Sequence, residues 1–217
     1  MMRGVFVTGT DTGVGKTVVS ALLVSALRRS AKVGYWKPVQ TGIEEDDDTA
    51  EVRRLAACDP AEIADVGVRL PRPLSPHLSA RLAGQTIEMA DLLRTAKGLP
   101  DDRYWIVEGA GGLLVPLNES AMMADLIRAL SLPVVIAARS GLGTINHTSL
   151  TVSELARRSI DVAGVVMVGE PNAENRLAIE RYGGARVLAE VPVLSNLSAS
   201  AVAAIAADAA PALASLL

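Results

Sequence analysis

The sequence predicts an α/β protein of three layers, α/β/α, with a mainly parallel central sheet and helices on both faces, built as one domain over residues 1–217. Three observations predict it. Apolar runs of strand length alternate along the chain with segments of helical period. Several of those runs are apolar throughout, as strands buried on both faces are. The glycine-rich and charged sequences fall directly behind the runs, where open parallel sheets place their ligands.

Taken in order, residues 4–8 read as a strand and 16–30 as a helix, with apolar residues at Val18, Val19, Leu22, Leu23 and Leu27. Residues 32–36 form the next strand, "EEDDD" lies in a polar loop, and 49–57 is helical. The prolines of "LPRPLSPHLSARL" forbid a regular helix until after Pro76. Residues 104–107 make a short strand that ends in Glu108, and 133–138 and 163–168 make two more. Helices are expected at 145–158 and 173–182, a last strand in "ARVLAEVPVL", and a last helix in the Ala-rich tail, residues 198–217.

Composition narrows the function. Half of the residues are hydrophobic and only 3% aromatic, so the core is one of Val, Leu, Ile and Ala. A net charge of −3 offers no basic face to nucleic acid. The single cysteine, Cys58, forms no internal disulfide and reads as a small, partly buried side chain. His77 and His147 lack metal-ligand spacing and read as structural or pocket-lining. No secretory leader or membrane-length apolar run is apparent, so the expectation is a cytoplasmic protein without a membrane partner. A mean hydropathy of +0.32 points to a buried subunit interface.

The chemistry starts at "GTDTGVGKT", directly behind the first strand. Gly13 and Gly15 allow positive φ, so that the backbone N–H groups of a phosphate loop can close around phosphate oxygens. The helix behind them adds its positive end, Lys16 reaches the β- and γ-phosphates, and the Thr17 hydroxyl suits Mg²⁺. The spacing differs from the ordinary P-loop and lines up with K-G-G-x-G-K-T, the variant loop of MinD and ParA ATPases. The signature lysine of that loop is here Asp11, so a second cation must come from elsewhere. Lys37, between an apolar strand and a Pro/Gly turn, is the candidate, with Thr41 and Gly42 facing the same space. Glu108, at the end of a buried strand, has the place of a Walker-B acid, and "GAGG" behind it lets backbone approach a ligand. One of Asp46, Asp47 and Asp48 is a second metal ligand, and spacing does not choose among them. In "RSGLGTINHT", Thr144 or Asn146 is placed to cap a helix whose N-terminus suits a carboxylate.

Four stretches together, "FVTGTDTGVGKT", "KPVQTG", "VEGAGGLLVPL" and "GTINHTSLT", resemble in order and spacing the dethiobiotin synthetase family, from about residue 3 to residue 168. The resemblance implies a P-loop NTPase fold and an ATP- and Mg²⁺-dependent ligase. In that chemistry 7,8-diaminononanoate and CO₂ (or bicarbonate) give a carbamate, ATP phosphorylates it, and the second amine closes a cyclic urea. Carried over position by position, it assigns ATP to Gly13, Val14, Gly15, Lys16, Thr17 and Val18, and catalysis to Lys37 and Lys16. It assigns the metal to Thr17, Asp48 and Glu108, with Gly109, Ala110 and Gly111 beside the nucleotide. Thr41 stands where the family often has a serine contacting the diamine, and Gly143, Thr144, Ile145 and Asn146 resemble the segment that receives the substrate carboxylate across a homodimer interface. Where relatives often carry an Asn-Asp pair, this chain reads Val168-Gly169-Glu170; Gly169 and Glu170, with Pro192 and Val193, are the expected lining of the base pocket.

Two alternatives share the fold. An amidating synthase of the cobyrinic acid type needs a glutaminase source of ammonia, for which 217 residues leave no room. A MinD/ParA-like switch predicts a lysine at position 11 and, for membrane recruitment, a basic amphipathic tail; this chain has Asp11 and a tail without basic residues.

Overall fold

Seven strands, every neighbouring pair parallel, form the central sheet of the computed structural model, which describes residues 2–217. In chain order the strands are β1 (Arg3–Gly9), β2 (Val33–Trp36), β3 (Val39–Thr41), β4 (Ile63–Ala64), β5 (Val68–Leu70), β6 (Tyr104–Gly112), β7 (Val134–Arg139), β8 (Val162–Val168) and β9 (Val187–Val191). The helices are α1 (Lys16–Leu27), α2 (Asp48–Leu55), α3 (Pro76–Leu82), α4 (Met89–Gly98), α5 (Met123–Leu130), α6 (Thr144–Arg157), α7 (Ala173–Gly183) and α8 (Ala199–Leu213). The sheet runs β4-β2-β6-β1-β7-β8-β9, and β3 and β5 pair separately. The chain winds to one side of β1 through β2 and β4, returns through β6, and continues on the other side from β7. That reversal leaves a crevice at the carboxyl ends of the strands, where such sheets hold ligands.

Alternation along β1 divides the interior. Val5 and Val7 face α1, α2 and α8, together with Leu23, Leu55 and Val202. Phe6 faces the opposite layer, with Trp36, Trp105, Leu126 and Leu155. The core is aliphatic, as composition predicts, and the two tryptophans lie in the second layer.

Several boundaries differ from the sequence reading. β6 does not stop at Glu108 but runs on to Gly112, because Gly112 still pairs with Gly9 past a bulge. α2 begins at Asp48, since the Asp47 side chain accepts the Ala50 N–H as its N-cap. α3 begins on Pro76 rather than after it; the first helical position needs no N–H. α6 has Gly143 as its N-cap, without a capping side chain, so neither Thr144 nor Asn146 caps it. α1 ends at Leu27 and β9 at Val191, both earlier than read. The small β3–β5 sheet and the helices α4 and α5 lie outside the elements read from the sequence, although both helices are amphipathic.

The tail helix also needs comment. By length and composition alone the 18 residues Ala199–Leu216 are long and apolar enough to cross a membrane. In the fold, Val202, Ala206 and Leu213 of α8 are buried in the layer that holds α1, while alanines and Asp208 face outward. That is the one-sided burial of a helix covering a sheet.

Candidate active site

The crevice begins where β1 gives way to the loop 10–15. Gly13 and Gly15 adopt φ of +69° and +93°, the left-handed conformation that the motif requires. Space adds to this at Gly15, where a Cβ would lie 3.0 Å from Val168 Cγ1 of β8. Gly15 is the N-cap of α1 and has no side chain to satisfy the helix start, so the N–H groups and dipole of this helix face the loop. The buried Val14 pins the loop, and Lys16 curls back so that Nζ donates to the Asp11 carbonyl at 3.3 Å. Burial, and then the charge of Lys37, depress the Lys16 pKa below the usual lysine value.

Opposite the loop, one cation sits between two acids. Lys37 Nζ lies 2.7 Å from Glu108 Oε1 and 2.8 Å from Asp48 Oδ2, and it also donates to the Gly109 carbonyl at 3.3 Å. Its side chain is 3% exposed and that of Glu108 is fully buried. Burial alone would push the Lys37 pKa down, but Glu108 and Asp48 more than offset it and hold the group protonated. Burial likewise works against the Asp48 carboxylate, and Lys37 with Thr17 outweighs it, so the Asp48 pKa falls. The Thr17 hydroxyl completes the cluster, 2.6 Å from Asp48 Oδ1 and 3.3 Å from Glu108 Oε1.

Each acid has its own support. Asp48 is held by a network on the small sheet: Gln40 of β3 donates to Asp47 Oδ1 and accepts from Thr49, and Arg69 of β5 pairs with Asp47 Oδ2. Asp47 therefore orients α2, Asp46 stays exposed, and only Asp48 of the three joins Thr17 and Lys37. Glu108 receives the Tyr35 hydroxyl on Oε2 at 3.0 Å. Burial raises the Tyr35 pKa well above the ordinary phenol, so that hydroxyl donates throughout the physiological range. Tyr35 and the Gln40–Asp47–Arg69 network were not singled out from sequence. Tyr35 carries one usable signal: it lies two residues before Lys37, so both point to the same face of the extended chain.

Thr17 Oγ1, Asp48 and Glu108 form a hard-oxygen set of the kind Mg²⁺ takes. Among the described residues no cluster of three or more His, Cys, Asp or Glu forms an all-protein metal cage. Two carboxylates and a hydroxyl suit a metal that brings waters and phosphate oxygens with it, and such a metal would share the site with the Lys37 ammonium.

The remaining predicted residues are more scattered. Gly109 is required by packing, since a Cβ there would meet Phe6 Cε1 at 2.8 Å; Ala110 is buried, and Gly111, at φ +69°, turns the chain against Val115. Val18 is half-buried on α1, and Thr41 is half-exposed at the end of β3. Gly169 follows β8 at φ +134°, with Ser140 blocking any Cβ, while Glu170 is exposed. Pro192 and Val193 follow β9 at the surface. At 168–170 no asparagine is present; Asn172 caps α7, and Asn175 donates to the Ser140 carbonyl at 2.7 Å. At the start of α6, Thr144 is buried, Ile145 half-buried and Asn146 exposed. Asp11 stays at the loop surface, paired with Arg139 at 3.3 Å.

A cavity of about 380 Å³ adjoins the phosphate loop, between Gly9–Thr12, Gly112–Val115 and α6 residues Leu150, Thr151 and Glu154. A larger one, about 570 Å³, near His77, Arg81 and Asn118, shares no residue with the loop.

Comparison with known proteins gives the family and the fold. A family model described as an AAA domain matches residues 3–201. The ATP-dependent dethiobiotin synthetase BioD of Paramagnetospirillum magneticum is 52% identical over 202 residues, covering 93% of this chain and 94% of that protein. The enzyme of the same name from Brucella ovis is 45% identical, covering 91% and 90%. The biotin biosynthesis bifunctional protein BioCD of Bordetella avium is 49% identical over 92% of this chain, which matches 42% of that longer protein. Among solved structures, a plasmid partition protein from Borrelia burgdorferi bound to AMPPNP superposes with a TM-score of 0.64 at 12% identity, covering 100% of this chain and 99% of that one. The MinC:MinD complex of Aquifex aeolicus gives 0.59 at 14%, covering 98% and 96%. These last two share the fold; the relatives at 45–52% identity decide the family. The chain belongs to the dethiobiotin synthetase family.

Proposed function

We propose that the protein makes dethiobiotin from 7,8-diaminononanoate, CO₂ and ATP with Mg²⁺. Its family makes it an ATP-dependent ligase of biotin biosynthesis. The observation that carries the finer reading is the convergence of Lys37, Asp48, Glu108 and Thr17 on one point beside the phosphate loop and Lys16.

The reaction gathers negative charge, and the residues are arranged for that. One amine adds to the carbon of CO₂ and loses a proton, giving a carbamate. A carbamate oxygen takes the γ-phosphoryl group, and ADP leaves. The second amine then attacks the carbonyl carbon, phosphate departs, and loss of a proton completes the cyclic urea. Carbamate and γ-phosphoryl oxygens repel each other as they approach. Lys37 and Lys16, already fixed and partly desolvated, stabilise that charge without reorganising. Bound Mg²⁺ would neutralise charge between the β- and γ-phosphates. Thr17, Asp48 and Glu108 would hold it.

The diamine is assigned to the cavity beside Gly9–Thr12; Thr41, at the end of β3 and outside that lining, takes its contact with the diamine from the family resemblance alone. Leu114 and Leu150 of its lining are more than half exposed, and Leu142, just before Gly143 and outside that lining, is fully exposed. Such apolar side chains at the mouth of a site support a homodimer in which the Gly143, Thr144, Ile145 and Asn146 segment of one copy completes the carboxylate site of the other. The protein acts in the cytoplasm on this reading. The MinD/ParA alternative loses ground, because the signature position carries Asp11 in an ion pair with Arg139.

The direct test incubates the protein with diaminononanoate, bicarbonate and MgATP and looks for the cyclic urea by mass spectrometry. ATP turnover that yields no cyclic urea would sink the assignment.

A further inference from the structure

Glu108 treats its two oxygens differently. Oε1 faces the crevice and meets Lys37 at 2.7 Å and Thr17 at 3.3 Å. Oε2 faces into the sheet and accepts the Tyr35 hydroxyl at 3.0 Å. The arrangement follows from strand register: β2 lies beside β6 with Trp36 opposite Val107, which sets Tyr35 and Lys37 along the flank of Glu108. Tyr35 and Glu108 are both fully buried, so water does not compete for this bond.

We propose that Tyr35 is a positioning residue that sets metal preference: by holding Oε2 turned into the sheet it leaves Oε1, shared with Lys37 and Thr17, as the one oxygen Glu108 presents to a cation. This rests on the reading of Glu108 as a metal ligand. A carboxylate limited to one oxygen suits Mg²⁺, which demands a compact octahedron and keeps several waters. Ca²⁺ is larger, takes more ligands, and readily accepts both oxygens of one carboxylate. Tyr35 thereby favours the smaller ion. Hydrogen bonds to metal-bound carboxylates also fix their orientation, and their loss weakens metal binding.

The experiment measures Mg²⁺ and Ca²⁺ binding to the full chain in the presence of a non-hydrolysable ATP analogue, by titration calorimetry, for wild type, Tyr35→Phe and Glu108→Gln. Wild type should bind Mg²⁺ more tightly than Ca²⁺. Tyr35→Phe should lose about tenfold in Mg²⁺ affinity and little or none for Ca²⁺. A hydroxyl with only a structural role would lower the melting temperature and leave the Mg²⁺/Ca²⁺ ratio alone; an unchanged ratio overturns the proposal. Glu108→Gln separates the two claims. If it binds Mg²⁺ like wild type, the ligand reading itself fails, whereas a weakened Glu108→Gln beside an unaltered Tyr35→Phe removes Tyr35 alone. Wild-type protein that binds Ca²⁺ as tightly as Mg²⁺ overturns the proposal without any variant. Should Tyr35→Phe not fold, Tyr35→Met deletes the same hydroxyl.

Discussion

Replacing Lys37 with methionine keeps most of the side-chain volume and deletes one charge. That charge lies within 2.8 Å of a carboxylate oxygen of both Glu108 and Asp48. Removing one partner of a buried pair leaves the others uncompensated, at a cost of about 3–5 kcal/mol. Asp48 is a quarter exposed, which relieves part of that, so about 3 kcal/mol is expected. Lys37→Met should therefore melt several degrees lower without metal. Added Mg²⁺ should restore more stability to the variant than to wild type, because the carboxylates no longer have an internal cation. Catalysis should not recover: losing a fixed donor to developing charge costs about 10²–10³ in kcat. Differential scanning fluorimetry with and without Mg²⁺ and a mass-spectrometric assay for the cyclic urea give the three readings. Full activity in Lys37→Met, or a melting temperature equal to wild type without metal, would refute the reasoning.

Gly15→Ala places a side chain at φ +93° against Val168, so a loss of about 1–2 kcal/mol in stability and a marked rise in the Kd for ATP are expected, read by denaturant melts and nucleotide titration. Asp47→Ala removes the α2 cap and the Arg69 pair and should cost about 1 kcal/mol while raising the KM for MgATP, since Asp48 loses its anchor; an unchanged KM would show that the small sheet does not position Asp48. Burial pushes Tyr104 up to about 12. The unfolded chain releases this proton near pH 10 and the folded one does not, so stability present below pH 10 falls by about 2 kcal/mol between pH 10 and 12. Urea melts of Tyr104→Phe should lack that component. Burial also raises Cys58 to about 11, so at pH 8 the native protein should react with a thiol reagent orders of magnitude more slowly than the unfolded chain.

Much of this was legible because it is local. Strand periodicity, the phosphate-loop glycines and the lysine between a strand and a Pro/Gly turn are each written in a few adjacent residues, and they placed β1, α1, β2 and Lys37. The misreadings come from contacts distant in sequence. β6 runs past Glu108 because Gly9 lies beside Gly112, and the small residue at Gly109 also answers to packing against Phe6, a contact that "GAGG" does not announce. Among the three aspartates spacing is silent, since the choice is made by Gln40 and Arg69 on a small sheet that sequence pattern did not reveal. Tyr35 reads as one more apolar strand residue until β6 is set beside it.

The charges around the site explain why an acid is tolerated where MinD and ParA proteins carry their signature lysine. Lys16 and Lys37 balance Asp48 and Glu108, so the cluster is close to neutral before any ligand arrives. Asp11 stands apart from that balance: its carboxylate turns to the Thr12 N–H at 2.7 Å and to Arg139, and the hydrogen bond to Thr12 chiefly lowers its pKa. Its negative charge is thus matched by Arg139 outside the phosphate cradle, while its carbonyl holds Lys16 inside it. A lysine at position 11 would put a cation beside Arg139 with no partner. The residue that breaks the motif is consistent with its surroundings, and on the function proposed above the task of meeting phosphoryl charge passes to Lys37, which comes from the strand on the far side of β6.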